Sequence, residues 1–173
     1  IELKKINLVL DPFKLRLNVK TIGSKLKNQN QSIEIENIKT KISLRSLIDN
    51  KFSIENLEIS TKSLEINNLI SFFRSVKNTP ELFILEKIIK KGYLIADIKL
   101  EFDTEGKIKD NYTINGFIKD AKLSLLKKYY IEKLNFIFEY KKNDLQLQDI
   151  LFSLNDLSFL SEKVLVKKIK DEF

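Results

Sequence analysis

Apolar and polar residues alternate with a period of two through most of this chain, and that pattern restricts its fold more than any other feature. Phe13, Leu15, Leu17 and Val19 alternate with Lys14, Arg16, Asn18 and Lys20, which predicts a half-buried strand over residues 13–20. Asp11-Pro12 is a turn signal, with Ile6, Leu8 and Leu10 forming an earlier strand. A polar loop is expected over 23–32, after which strands resume at Ile33, Ile35, Ile38, Ile42 and Leu44, then at Ile54, Leu57 and Ile59. Ala96, Ile98, Leu100 and Phe102 share one face, with Asp97, Lys99 and Glu101 opposite. Tyr112, Ile114 and Ile118 carry the next strand, followed by Phe136, Phe138 and Tyr140, then Leu145 and Leu147, then Phe152 and Leu154. The links are mostly short, so antiparallel neighbours in a meander are the natural topology.

Residues 67–91 break the period. Leu69, Phe72, Phe73 and Val76 have helical spacing. Thr79-Pro80-Glu81 then supplies a cap residue, a proline for the first helical position and an acid for the first turn. Leu82, Leu85, Ile88 and Ile89 make an apolar stripe, Lys90 and Lys91 suit the C-terminal dipole, and Gly92 can end the helix. A helical pair packed against the sheet is expected here.

A four-residue pattern recurs in which the alternation slips by one position. It occurs at Ile35-Glu36-Asn37-Ile38, Ile54-Glu55-Asn56-Leu57, Ile118-Lys119-Asp120-Ala121, Ile131-Glu132-Lys133-Leu134, Leu147-Gln148-Asp149-Ile150 and, more tightly, Leu154-Asn155-Asp156-Leu157. A strand keeps one apolar face through such a slip only if a bulge or bend absorbs a residue. Repeated bulges curl and coil a sheet.

One helical pair cannot cover roughly ten strands, so the remaining apolar surface needs another partner. The sheet could close on itself as a sandwich or barrel, serving as a scaffold or adhesion module, or it could pair with chain outside this segment. Otherwise it stays open as an apolar trough, and a trough facing only water would aggregate. The expected fold is mainly β with a small helical insertion at about 67–91: a curved, twisted antiparallel sheet forming an open apolar groove over residues 1–173. The expected floor residues are Phe13, Leu15, Leu17, Ile98, Leu100, Phe102, Phe136, Phe138, Leu145 and Leu147.

The residue inventory gives little chemistry to a catalytic site. There is no Cys and no His, and no phosphate-binding loop, nucleophile elbow or metal-spaced cluster. No catalytic residues, metal or cofactor are expected. The net charge of +7 rests on 31 basic residues, of which only Arg16, Arg45 and Arg74 are arginine. Lysine is a hydrated point charge without the planar fork that reads phosphates and guanine edges. The excess therefore suits a soluble exterior or weak attraction to anionic lipid, not nucleic acid. No apolar run approaches the ~20 residues of a membrane span. Ile1 and the strand-like tail VLVKKIKDEF suggest one segment of a longer protein.

The segment SLRSLIDNKF followed by SIENLEIST and KSLEI resembles the AsmA-like family of bacterial envelope proteins, where a strand enters a turn of the type SLLxGxxxIxxLxI. INLVLDPFKLRLNV, GYLIADIKLEFDTEGKI, NYTINGFIKDAKLSL and IEKLNFIFEYKKNDLQLQDILF resemble the repeating strands of the same group, which includes TamB-like and YhdP-like proteins. This chain departs from the pattern at Asp49-Asn50, where glycine is common, and at its helical insertion. The resemblance implies a repeating-β-groove protein in the periplasm, anchored to the inner membrane by a segment outside this chain. It implies transport of phospholipids in support of outer-membrane assembly, with phospholipids and bacterial membranes as partners.

Overall fold

The computed structural model describes residues 2–28, 31–126, 128–142 and 144–167. Strands β1 (Lys5–Asp11), β2 (Arg16–Asn28), β3 (Gln31–Ser43), β4 (Ile54–Thr61), β5 (Leu64–Glu65), β6 (Ile89–Glu101), β7 (Thr113–Leu125), β8 (Tyr129–Lys141), β9 (Asp144–Leu154) and β10 (Leu157–Lys167) form one sheet. Its order is β1-β2-β3-β4-β6-β7-β8-β9-β10, antiparallel throughout, with β5 pairing beside β4 on β6. The sheet is curled but not closed, since β1 pairs only with β2 and β10 only with β9. The expected open, curved meander is the fold observed, and a closed sandwich or barrel is not.

The parity slips are where the sheet bends. Register shifts fall between Ile35 and Asn37 on β3, between Asn56 and Ile54 on β4, and around Asp120 on β7, Lys133 on β8 and Asp149 on β9. Asp120, Lys133 and Asp149 take φ of 49°, 51° and 50°, the left-handed conformation of a residue extruded from the ladder. The sixth slip is not a bulge. Asn155 and Asp156, at φ 45° and 71°, are the two central residues of the β9–β10 hairpin, a role that needs positive φ at both positions.

Several local expectations fail for identifiable reasons. Phe13 and Leu15 lie not in a strand but in the turn over residues 12–15. Phe13 is 98% exposed and Leu15 sits at φ 49°. The alternation continues through that turn although the ladder stops at Asp11 and restarts at Arg16. The polar stretch 23–32 is mostly ladder, because β2 and β3 pair out to Asn28 and Gln31. Leu44 starts a short helix, α1 (Leu44–Ile48), where the Ser43 Oγ accepts from the Ser46 N–H. Gly92 does not end a helix: it lies within β6 at φ 149°, beside a register shift and against Ala121.

Helices α2 (Ile66–Val76) and α3 (Pro80–Ile88) replace the expected span 67–91. Thr79 caps α3 by accepting from the Leu82 N–H, with Pro80 in the first turn. Ile66, Ile70 and Phe72 of α2 are buried, and the helix packs on β3 and β6. Ile33, Ile35, Leu64, Ala96 and Ala121 are the buried apolar sheet residues around it, with Ile150 further along the sheet. The compact core therefore lies over the middle strands, at one end of their length.

Candidate functional site

Antiparallel partners across a ladder project to the same face. One continuous row runs Ile6–Thr21–Ile38–Ile59–Ile98–Ile114–Tyr140–Leu145–Val166 across nine strands. The adjacent row, on the opposite face, reads Asn7–Lys20–Lys39–Glu58–Lys99–Thr113–Lys141–Asp144–Lys167. These two rows thus differ in chemistry from edge to edge, although the second face also carries the short apolar row Ile95–Phe117–Ile137. Parallel apolar rows flank the first: Leu10–Leu17–Ile42–Ile54 and Leu8–Val19–Thr40–Leu57–Leu100 on one side, Ala96–Gly116–Phe138–Leu147–Val164 on the other.

Shelter along this apolar face is uneven. On the inside of a curl neighbouring side chains converge and screen one another, and on the outside they splay. In the middle strands Ile98, Ile114 and Ile118 on the apolar face are half-buried, whereas at the edges Ile6, Leu8 and Leu10 on β1 and Val166 on β10 are 51%, 61%, 57% and 51% exposed on the same face. The helical pair packs on β2, β3, β5, β6 and β7, and β1, β8, β9 and β10 receive no comparable cover. The result is an apolar trough, roofed at one end and open along the rest.

Of the ten residues expected to form the floor, seven lie on this face within strands: Leu17 on β2, Ile98 and Leu100 on β6, Phe136 and Phe138 on β8, and Leu145 and Leu147 on β9. Phe13 and Leu15 belong to the β1–β2 turn, and Phe102 lies just beyond β6, bridged to Ile108 with its ring 5.4 Å from Phe52. Ile6, Ile38, Ile59, Ile114 and Tyr140 sit in the central row yet are not among the expected floor residues. Their alternation is visible in the sequence, but the row exists only once register is fixed.

Two details shape the trough. Gly116 is paired with Phe138, and a Cβ there would come within 2.5 Å of the Phe138 ring and 2.6 Å of the Ile95 carbonyl oxygen. The missing side chain lets the aromatic ring lie down over the strand, a known use of glycine in sheets. Thr21 is a polar rung of the central row, and its hydroxyl lies 2.7 Å from the buried Ser24 hydroxyl, so each gives the other a partner.

Ionisable groups keep to the other face and the turns. The Glu132 carboxyl is held below its ordinary pKa by its hydrogen bond and ion pair with Lys122, and Glu34 likewise by Lys62. Backbone N–H groups of Lys107 and Glu105 donate to Asp103 and lower its pKa too. A cleft of about 620 Å³ is also polar: Arg16, Lys41, Glu55, Glu101 and Lys109 contribute to it. It lies at the turn end of the hydrophilic face, with the Arg16–Glu55 ion pair in its wall. Among the described residues no cluster of three or more His, Cys, Asp or Glu could hold a metal, and no described helix is long and apolar enough to cross a membrane.

The site is thus a surface: a broad strip without charge, backed on the opposite face of the sheet by a lysine-rich row. Such a strip can hold hydrocarbon by area alone, with polar ends left in water. No protein-family model, curated protein or solved structure matches this chain.

Proposed function

We propose that the chain is a groove segment of an AsmA-like envelope protein that binds phospholipid acyl chains and lets them move along its apolar face. The observation that carries this reading is the uncharged, largely apolar row that runs from β1 to β10, uncovered over most of its length. Each methylene removed from water contributes about 0.8 kcal/mol, so two acyl chains are held without any specific polar contact. Head groups stay in water at the mouth. A floor made mostly of Ile, Leu, Val and aromatic rings, with the hydroxyls of Thr21, Thr40 and Tyr140 but no charge, gives little to fix one position, so a bound chain slides at little cost. The same reading makes the protein a non-enzyme of the periplasm, anchored to the inner membrane by a segment outside this chain. It supports lipid transport or outer-membrane assembly.

Purified protein is examined by mass spectrometry for co-purifying phospholipid, with photo-crosslinkers placed at Leu100, Phe138 and Lys99. Crosslinks to lipid at Leu100 and Phe138 but not at Lys99 are expected. Lipid-free protein, or crosslinks equal on the two faces, overturns the reading.

A further inference from the structure

Helix α3 buries none of its residues. Phe83, Ile84 and Leu85 are 47%, 54% and 42% exposed. Successive helical residues are turned by about 100°, so these three spread apolar surface over about 200° of the circumference. A surface helix that served only to pack on its own sheet would keep one apolar stripe inward.

The surroundings extend this surface. Phe73 and Val76 of α2 are exposed as well. The Arg74 guanidinium pairs with Glu86 and stands 5.4 Å from the centre of the Phe83 ring, so the last turn of α2 lies beside α3. Lys87 stands over the same ring. Ile89, directly after α3, pairs with Leu123, which places the helix beside the end of β7. The turn at the end of β7 carries Leu126, 89% exposed, and then Lys128.

Charge favours one partner. Residues 66–91 contain Arg74, Lys77, Lys87, Lys90 and Lys91 against Glu81 and Glu86, and Arg74 already occupies Glu86. A groove on a protein partner takes a stripe spaced i, i+3, i+4, i+7. Three consecutive apolar residues suit a fluid that surrounds the helix, with lysines reaching outward to anionic head groups. We propose that α3, with the last turn of α2, docks in the interface of an anionic lipid bilayer and so presents the roofed end of the trough to a membrane.

The test uses the whole chain and sedimentation with vesicles of phosphatidylcholine alone or mixed with phosphatidylserine. Binding to the mixed vesicles that weakens with salt is expected. The exposed double variant Phe83→Asp with Ile84→Asp lowers it about tenfold, and Lys77→Glu with Lys87→Glu lowers it at least as much, at about fivefold per cation removed. Neither variant touches the trough, so both retain whatever lipid co-purifies, which keeps this docking distinguishable from acyl-chain binding. Unchanged binding by either variant, or no binding to mixed vesicles, overturns the proposal. Capture by immobilised polyglutamate without vesicle binding also overturns it, in favour of an acidic protein.

Discussion

The Oδ1 of Asn135 on β8 accepts a hydrogen bond, 3.0 Å long, from the backbone N–H of Asp120 on β7. Asp120 is extruded from the ladder, so its N–H has lost its strand partner, and the neighbouring side chain replaces it. Two other asparagines beside left-handed or bulged backbone accept from ladder residues: the Asn56 Oδ1 from the Lys41 N–H and the Asn155 Oδ1 from the Tyr130 N–H. Asn135→Leu is expected to cost about 1 kcal/mol, read as a lower urea midpoint. Asn135→Asp keeps the acceptor but loses the donor that its Nδ2 gives to the Lys133 carbonyl oxygen, so a smaller but measurable loss is expected. Equal losses for the two variants would disprove this role.

Lys133 is a non-glycine residue at φ 51° in the β8 bulge. Left-handed backbone costs an L-residue about 1–2 kcal/mol, and glycine removes that cost while adding freedom to the unfolded chain. Lys133→Gly is therefore expected to be neutral or slightly stabilising. Lys133→Val, β-branched in the same conformation, is expected to lose about 1 kcal/mol or more. Denaturant titration of the pair reads the difference directly.

Gly116→Ala would drive a Cβ into the Phe138 ring and the Ile95 carbonyl oxygen. The ring can swing away and the backbone oxygen cannot, so a loss of about 1–3 kcal/mol is expected. Near-ultraviolet circular dichroism should change with it as Phe138 leaves its place. An unaltered spectrum and midpoint would show that the close approach is not required.

Acid should weaken the fold through exposed carboxylates. Glu132, Glu34, Glu2 and Asp103 all have folded pKa values below their ordinary ones, each lowered chiefly by a hydrogen-bonding partner. The folded state therefore binds fewer protons than the unfolded chain, so its advantage is complete above the usual carboxylate range near 4. It is lost as pH falls through that range and below it. Stability measured by denaturation should be level near neutrality and decline only on the acid side. Glu132→Gln with Lys122→Gln should make that decline shallower, and an identical acid limb would contradict the assignment.

Much of this geometry is written locally. Ile118-Lys119-Asp120-Ala121 and its counterparts on β3, β4, β8 and β9 mark their bulges within four residues. Leu154-Asn155-Asp156-Leu157 carries the same signature because a two-residue hairpin also demands left-handed backbone, which Asn and Asp tolerate. The turn between Asp11 and Arg16 is hidden by its own composition, since Phe13 and Leu15 keep the strand period inside it. Helix α1, five residues long, is too short to show a period at all. The trough itself is half legible. Leu17, Ile98 and Leu145 fall on their face by alternation alone, but their alignment depends on pairings such as Ile59 with Ile98, made across the whole helical pair. Charge and hydropathy say nothing about a register set at that distance.

The unclosed order of strands has a consequence for how the molecule folds. Nearly every strand contacts only the strands next to it in the chain, the exception being β4 and β6, separated by β5 and the helices. No pairing joins the first strand to the last, so the search for partners is short-ranged for an all-β chain. Growth by addition of one hairpin to the next resembles a zipper, with α2 as the fastening at the middle. Amide exchange should then be graded, slowest at Ala96 and Ala121 beneath the helix and fastest at Leu8 and Val164, where the zipper opens from either side.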